Sequence, residues 1–86
     1  METVIAVHEV DDVDRWFAST KRAEFFAAHG MSARAFRDPQ GSNRVCVLIE
    51  TPDMDALEAA MQEEAAAEAM KHDGVRPETL QILVAA

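Results

Sequence analysis

The chain has 86 residues, a formal charge of −8, a single cysteine and no tyrosine, and about half of it is hydrophobic. That length permits one small domain, residues 1–86, and such a domain buries only ~60% of the surface its unfolded chain exposes. The acidic balance excludes a nucleic-acid binder, which must neutralise phosphates with Lys and Arg, and no apolar run reaches the ~20 residues needed to span a bilayer.

The first strand is predicted at Thr3 to Val10 (TVIAVHEV), a β-branched and apolar stretch that follows Met1 with no basic leader. With the unpaired Cys46, which reads as a small buried hydrophobe, this suggests a cytoplasmic protein. Asp11 and Asp12 are N-cap candidates for a helix from about Val13 to His29, closed by Gly30. Met31 to Arg37 and Arg44 to Glu50 read as a hairpin around the Asp38-Pro39-Gln40-Gly41-Ser42-Asn43 turn. A second helix opens at Thr51-Pro52-Asp53 and ends near Gly74, and Thr79 to Val84 is the last strand. The order β-α-β-β-α-β is the split βαβ, or ferredoxin-like, α+β arrangement with a four-stranded antiparallel sheet. Right-handed crossovers put both helices on one face of it.

The other face cannot be left to water. Val45, Val47 and Ile49 point one way while Cys46 and Leu48 point the other, and the first and last strands repeat the pattern. A second copy of the chain, stacked sheet to sheet, would cover that face, so a homodimer is expected.

The helices carry misfits. On an unbroken first helix, Val13, Trp16, Phe17, Ala27 and Ala28 share a stripe that also holds Thr20 and Glu24, while Phe25 and Phe26 fall outside it. Thr20 and Glu24 would then line a polar-spotted pocket between helix and sheet, or Glu24 would reach the helix edge. In the second helix the phase fails beyond Met61, which predicts a break near Gln62 to Glu64, after which Ala66, Ala69 and Met70 turn inward.

Among groups that could carry chemistry, His8 stands out because imidazole exchanges protons near neutral pH. It shares a face with Val4, Ala6 and Val10, where a purely structural histidine is the alternative. His29 and His72 sit at helix C-termini, which favour a cation. Arg34 and Phe36 share a face of the second strand, and the arginine could meet a ligand carboxylate or pair with an acid. No dinucleotide, P-loop, GxSxG or CxxC motif is present, and the helical carboxylates read as a solvated face, not a metal site. No cofactor is expected.

Gly30, Phe36-Arg37-Asp38, Asn43-Arg44, the apolar third strand ending at Glu50, Asp53 and Ala56-Leu57 resemble the dimeric α/β-barrel superfamily, specifically small proteins akin to antibiotic biosynthesis monooxygenases. Val7-His8-Glu9-Val10, Asp14 and Trp16 extend the resemblance over nearly the whole chain. It implies a homodimer whose two sheets form a barrel, with a pocket in each subunit between sheet and helices. Similar proteins include cofactor-free monooxygenases, haem-degrading enzymes and polyketide cyclases. The pattern departs at Thr51, where the family often has tryptophan, and at Ala60 and Met61, near which it often has histidine.

Two functions are expected from these readings. One is a cofactor-free cyclase, isomerase or monooxygenase acting on a small aromatic or polyketide-like molecule, with His8 as the catalytic proton-transfer group. Trp16 and Phe36 would be its apolar walls, and Thr20, Glu24 or Arg34 its orienting groups. The other is a non-catalytic dimer that binds a ligand or serves as a scaffold.

Overall fold

A computed structural model describes residues 1–85. Its strands are β1 (Glu2–Val10), β2 (Ser32–Arg37), β3 (Arg44–Thr51) and β4 (Val75–Val84). Four short helices, α1 (Val13–Ala18), α2 (Lys21–Ala28), α3 (Met54–Met61) and α4 (Glu64–His72), fill the two crossovers. The strands form one antiparallel sheet in the order β2-β3-β1-β4, the ferredoxin-like arrangement.

The predicted first helix is in fact two. Ser19 adopts an extended conformation (φ −67°, ψ 135°), and the chain restarts at Thr20. The break re-phases everything after it. Arg22, Phe25, Phe26 and His29, spaced i, i+3, i+4, i+7, now face inward, whereas Thr20 and Glu24 are exposed. The second crossover breaks at Gln62 and Glu63, as its failing phase predicted, and Ala66 on α4 is buried.

None of the helices exceeds nine residues, too short to persist alone in water, so caps and packing hold them. Asp12 and Asp53 each accept a hydrogen bond from a backbone N–H of the following first turn, Arg15 at 3.1 Å and Ala56 at 2.7 Å. Glu2 adds a second cap to α3 by accepting from Met54 N at 2.8 Å. Helix α2 ends in a Schellman motif: Met31 N donates to Phe26 O (2.9 Å) and Gly30 N to Ala27 O (3.1 Å). Gly30 has φ +72°, which a side chain would strain, and it delivers buried Met31 to the core.

The register sorts the side chains into rows. Facing the helices run Ala33–Ile49–Val4–Val84 and Ala35–Val47–Ala6–Ile82, and then Arg37–Val45–His8. On the opposite face run Arg34–Leu48–Ile5–Leu83 and Phe36–Cys46–Val7–Gln81. The core lies on the helix side, where Val4, Val10, Val45, Val47, Ile49, Trp16, Phe26 and Leu57 are buried.

Strand β4 begins earlier than Thr79 because the β1–β4 pairing contains an irregularity. The register shifts between Val7, which pairs with Gln81, and Glu9, which pairs with Arg76. Pro77, which has no N–H to give a ladder, falls in that interruption. Thr79 repairs it: its Oγ1 accepts from Glu9 N at 2.8 Å and donates to Arg76 O at 2.6 Å. His8 is the β1 residue at this bulge, so no β4 side chain lies directly opposite it.

Candidate functional site

Between the helices and the sheet lies a cavity in which the centre of a water-sized sphere can reach about 90 Å³. Ala6, Val47 and Ile49 form its floor, Trp16, Phe25 and Phe26 one wall, and Leu57, Met61, Ala66, Ala69 and Met70 the other. Three polar side chains join this apolar lining: His8, Arg22 and Asp73.

His8 is buried, with 6% of its surface exposed. Its Nδ1 is the one buried side-chain polar atom among the described residues that lacks a hydrogen-bond partner. Such a group costs about 1–3 kcal/mol when nothing satisfies it, so it sets this imidazole apart from the other polar side chains. Burial pushes the imidazole below its ordinary titration range; the Glu9 carbonyl works against this, and the Arg22 charge works with it. His8 is therefore held neutral near pH 7, with one ring nitrogen as donor and the other as acceptor.

Trp16 packs against it edge to face, with ring centroids 5.6 Å apart. The Arg22 guanidinium lies 4.0 Å above the indole. Asp73, 4% exposed, has its Oδ2 3.8 Å from Arg22 Nη1 and its Oδ1 2.9 Å from His72 Nδ1. His29 has a different task. Its Nδ1 lies 2.8 Å from Phe25 O and its Nε2 2.8 Å from Glu63, two acceptors that only the doubly protonated ring can satisfy. The Phe25 carbonyl first, and Glu63 second, raise its pKa, and the contact ties α2 to the break between α3 and α4.

The two buried and semi-buried imidazoles have opposite consequences for stability. A lowered folded-state pKa at His8 means the unfolded chain binds its proton more readily below the ordinary value of 6.5. Stability is thus lost as pH falls from there toward the folded-state value. A raised pKa at His29 gives stability present in full below 6.5 and lost as pH rises through the folded-state value. His8→Gln is therefore expected to flatten the acid-side decline below pH 6.5 and above the carboxylate range. Urea unfolding at a series of pH values would measure it, and an unchanged slope would contradict the burial argument.

Of the six residues picked out from the sequence, the structure brings His8 and Trp16 together in the cavity wall. Thr20 and Glu24 lie exposed at the start of α2, because the break at Ser19 turns them away from the core. Arg34 and Phe36 are on the sheet face remote from the helices, where the guanidinium sits 5.3 Å from the phenyl ring. Phe25 and Phe26, which fell outside the stripe of an unbroken helix, line the cavity. Arg22 and Asp73 were not singled out. The first would follow from restarting the helical phase at Thr20. The second had a signal of its own, since a carboxylate at the negative end of a helix needs a special partner. Among the described residues no cluster of His, Cys, Asp or Glu is arranged to hold a metal ion, and no helix is long and apolar enough to cross a membrane.

No protein-family model and no curated protein matches the sequence. Solved structures match the fold over essentially its whole length. A structure described as an antibiotic biosynthesis monooxygenase aligns with a TM-score of 0.69 at 15% identity, covering 100% of this chain and 97% of that one. A candidate antibiotic biosynthesis monooxygenase from Deinococcus radiodurans aligns with a TM-score of 0.65 at 12% identity, over 100% and 91% of the two chains. Another candidate from Bacteroides thetaiotaomicron gives a TM-score of 0.65 at 15% identity, over 99% and 87%. The fold is thus the ferredoxin-like α+β domain shared with antibiotic biosynthesis monooxygenase-like proteins.

Proposed function

We propose that the chain forms a homodimer that binds a small aromatic or similarly apolar molecule in the cavity of each subunit, with His8 as the group that exchanges a proton with it. The observation that carries this reading is His8, a buried imidazole with an unpartnered ring nitrogen, among the residues lining an otherwise apolar cavity. One water needs ~10–15 Å³ on the same measure of space. A cavity of about 90 Å³ therefore suits a one-ring molecule better than a multi-ring polyketide, which would need the helices to move. A neutral imidazole in such a site can accept a proton from an acidic O–H or C–H and return it elsewhere on the same molecule, which is the chemistry of an isomerase or cyclase without a cofactor.

The dimer reading rests on the sheet face away from the helices. Ile5, Val7, Cys46 and Leu48 sit half-exposed at its centre, with Phe36 and Leu83 beside them at 40% and 56% exposure. Thr3, Ser32 and Glu50 lie at one end of this patch and Glu9 and Arg44 at the other. An apolar centre with a polar rim is the anatomy of a protein interface, and a second sheet of the same shape would fit it. Arg34 and Phe36 then serve assembly instead of ligand binding. The free Cys46 would suit a cytoplasmic, reducing setting.

Trp16, the only tryptophan, makes the cavity directly observable. Para-nitrotoluene, which quenches indole emission, is expected to quench Trp16 saturably at micromolar to millimolar concentration. Ala69→Phe, which fills the cavity, should abolish the saturable part. Quenching that rises linearly without saturation, identical in the two proteins, would overturn ligand binding.

A further inference from the structure

We infer that Arg22 and Asp73 form a charge pair that selects a weakly acidic ligand and receives its oxyanion. The inference rests on the ligand-binding reading of the same cavity and goes beyond it to the chemical class of the ligand. Its basis is an ion pair that is buried but not closed. Arg22 has only 13% of its side chain exposed, yet its Nη1 stays 3.8 Å from Asp73 Oδ2, too far for a hydrogen bond. The single hydrogen bond described for the guanidinium is a long one, 3.4 Å from Nη1 to Trp16 O. A guanidinium has five N–H donors in a rigid fork, so most of them are left for another acceptor.

Where that acceptor would sit follows from the stacking. The guanidinium carbon lies over Trp16, 4.0 Å from the ring centroid, and the same indole packs against His8. The cation and the imidazole therefore line the same cavity on either side of one indole, close enough for the charge of Arg22 to act on His8. A permanently anionic ligand is not favoured, because Asp73 already neutralises Arg22. A neutral acid such as a phenol or an enol meets no such repulsion on entry. When its proton moves to the His8 imidazole the electron pair stays on the ligand oxygen, and the oxyanion lies between imidazolium and guanidinium. Two positive and two negative charges then alternate, and the site as a whole remains neutral. His72, hydrogen-bonded to Asp73 from the solvent side, holds the carboxylate in place.

Para-nitrophenol tests this, since its ionisation is visible as colour. Bound to the unmodified protein, its acidity is expected to increase about tenfold or more over the free phenol, the effect of an opposite charge within a few ångströms. Arg22→Met should lose most of that increase while para-nitrotoluene still quenches Trp16 saturably. Asp73→Asn, nearly isosteric, should raise the acidity further by removing the opposing charge. Saturable binding of both probes with unaltered acidity of para-nitrophenol in the unmodified protein would overturn the Arg22 assignment and leave ligand binding standing. Failure of both probes to saturate would instead remove the ligand-binding reading itself. A lower acidity in Asp73→Asn than in the unmodified protein would overturn the role given to Asp73.

Discussion

Replacing Trp16 by alanine is expected to destabilise the domain by about 3–5 kcal/mol, the range for removing a large aromatic from a packed core. The residue is 1% exposed and joins three separate parts of the molecule. It contacts the His8 ring from above β1, carries the Arg22 guanidinium at 4.0 Å, and lies 6.2 Å from Phe17 on its own helix. Loss of the indole also leaves the largely buried Arg22 without its stacking surface, adding an electrostatic cost to the cavity. For a domain of this length total stability is on the order of 4–13 kcal/mol, so the variant loses a large fraction of it. Trp16→Phe keeps an aromatic surface and should lose roughly half as much. Urea unfolding would show a lowered midpoint at constant slope, and a shift below about 1 kcal/mol for the alanine variant would mean that the cavity wall is not load-sharing with the core.

Ile5→Glu should convert the proposed dimer to monomer with little effect on the fold. Ile5 sits at the centre of the face remote from the helices, flanked across the sheet by Leu48 and Leu83. In a monomer the new carboxylate meets water. In the proposed dimer the carboxylate would be buried against the partner sheet with Leu48 and Leu83 beside it, and the nearest cation of its row, Arg34, lies a strand further away. An unpaired buried charge costs about 3–5 kcal/mol, so the association constant should fall at least a hundredfold. Sedimentation equilibrium would read this directly. An unmodified protein that is monomeric at micromolar concentration would remove the dimer proposal, as would an Ile5→Glu variant that dimerises as well as the parent.

The sheet was legible because strands advertise themselves on both faces. The alternation of Val45, Val47 and Ile49 against Cys46 and Leu48 appears unchanged in the structure, with the first set buried and the second half-exposed. The break in the second crossover was legible for a related reason: a phase that fails has to be repaired somewhere. The first crossover misled because Val13 to His29 contains no Gly or Pro, and an unbroken helix gave an acceptable stripe. What decided otherwise was tertiary packing, since Arg22, Phe25, Phe26 and His29 gain a continuous inward face only if the helix stops at Ser19. That single misreading exposed Thr20 and Glu24 and concealed Arg22. Arg34 and Phe36 were read on the correct strand face, but the face turned out to lie away from the cavity. Asp73 could not be linked to Arg22 from the sequence, because the contact joins residues some fifty positions apart across two helices.

The central claim is that the His8 imidazole meets a ligand in the cavity, and ¹⁵N NMR of the imidazole nitrogens during titration with phenol tests this most directly. The expected result is a saturable shift of the His8 ring-nitrogen resonances, accompanied by the methyl groups of Leu57 and Ala66 in the cavity wall, while Leu48 and Leu83 on the opposite sheet face stay still. A His8 ring unaffected at saturating phenol, or shifts confined to the opposite face, would contradict it.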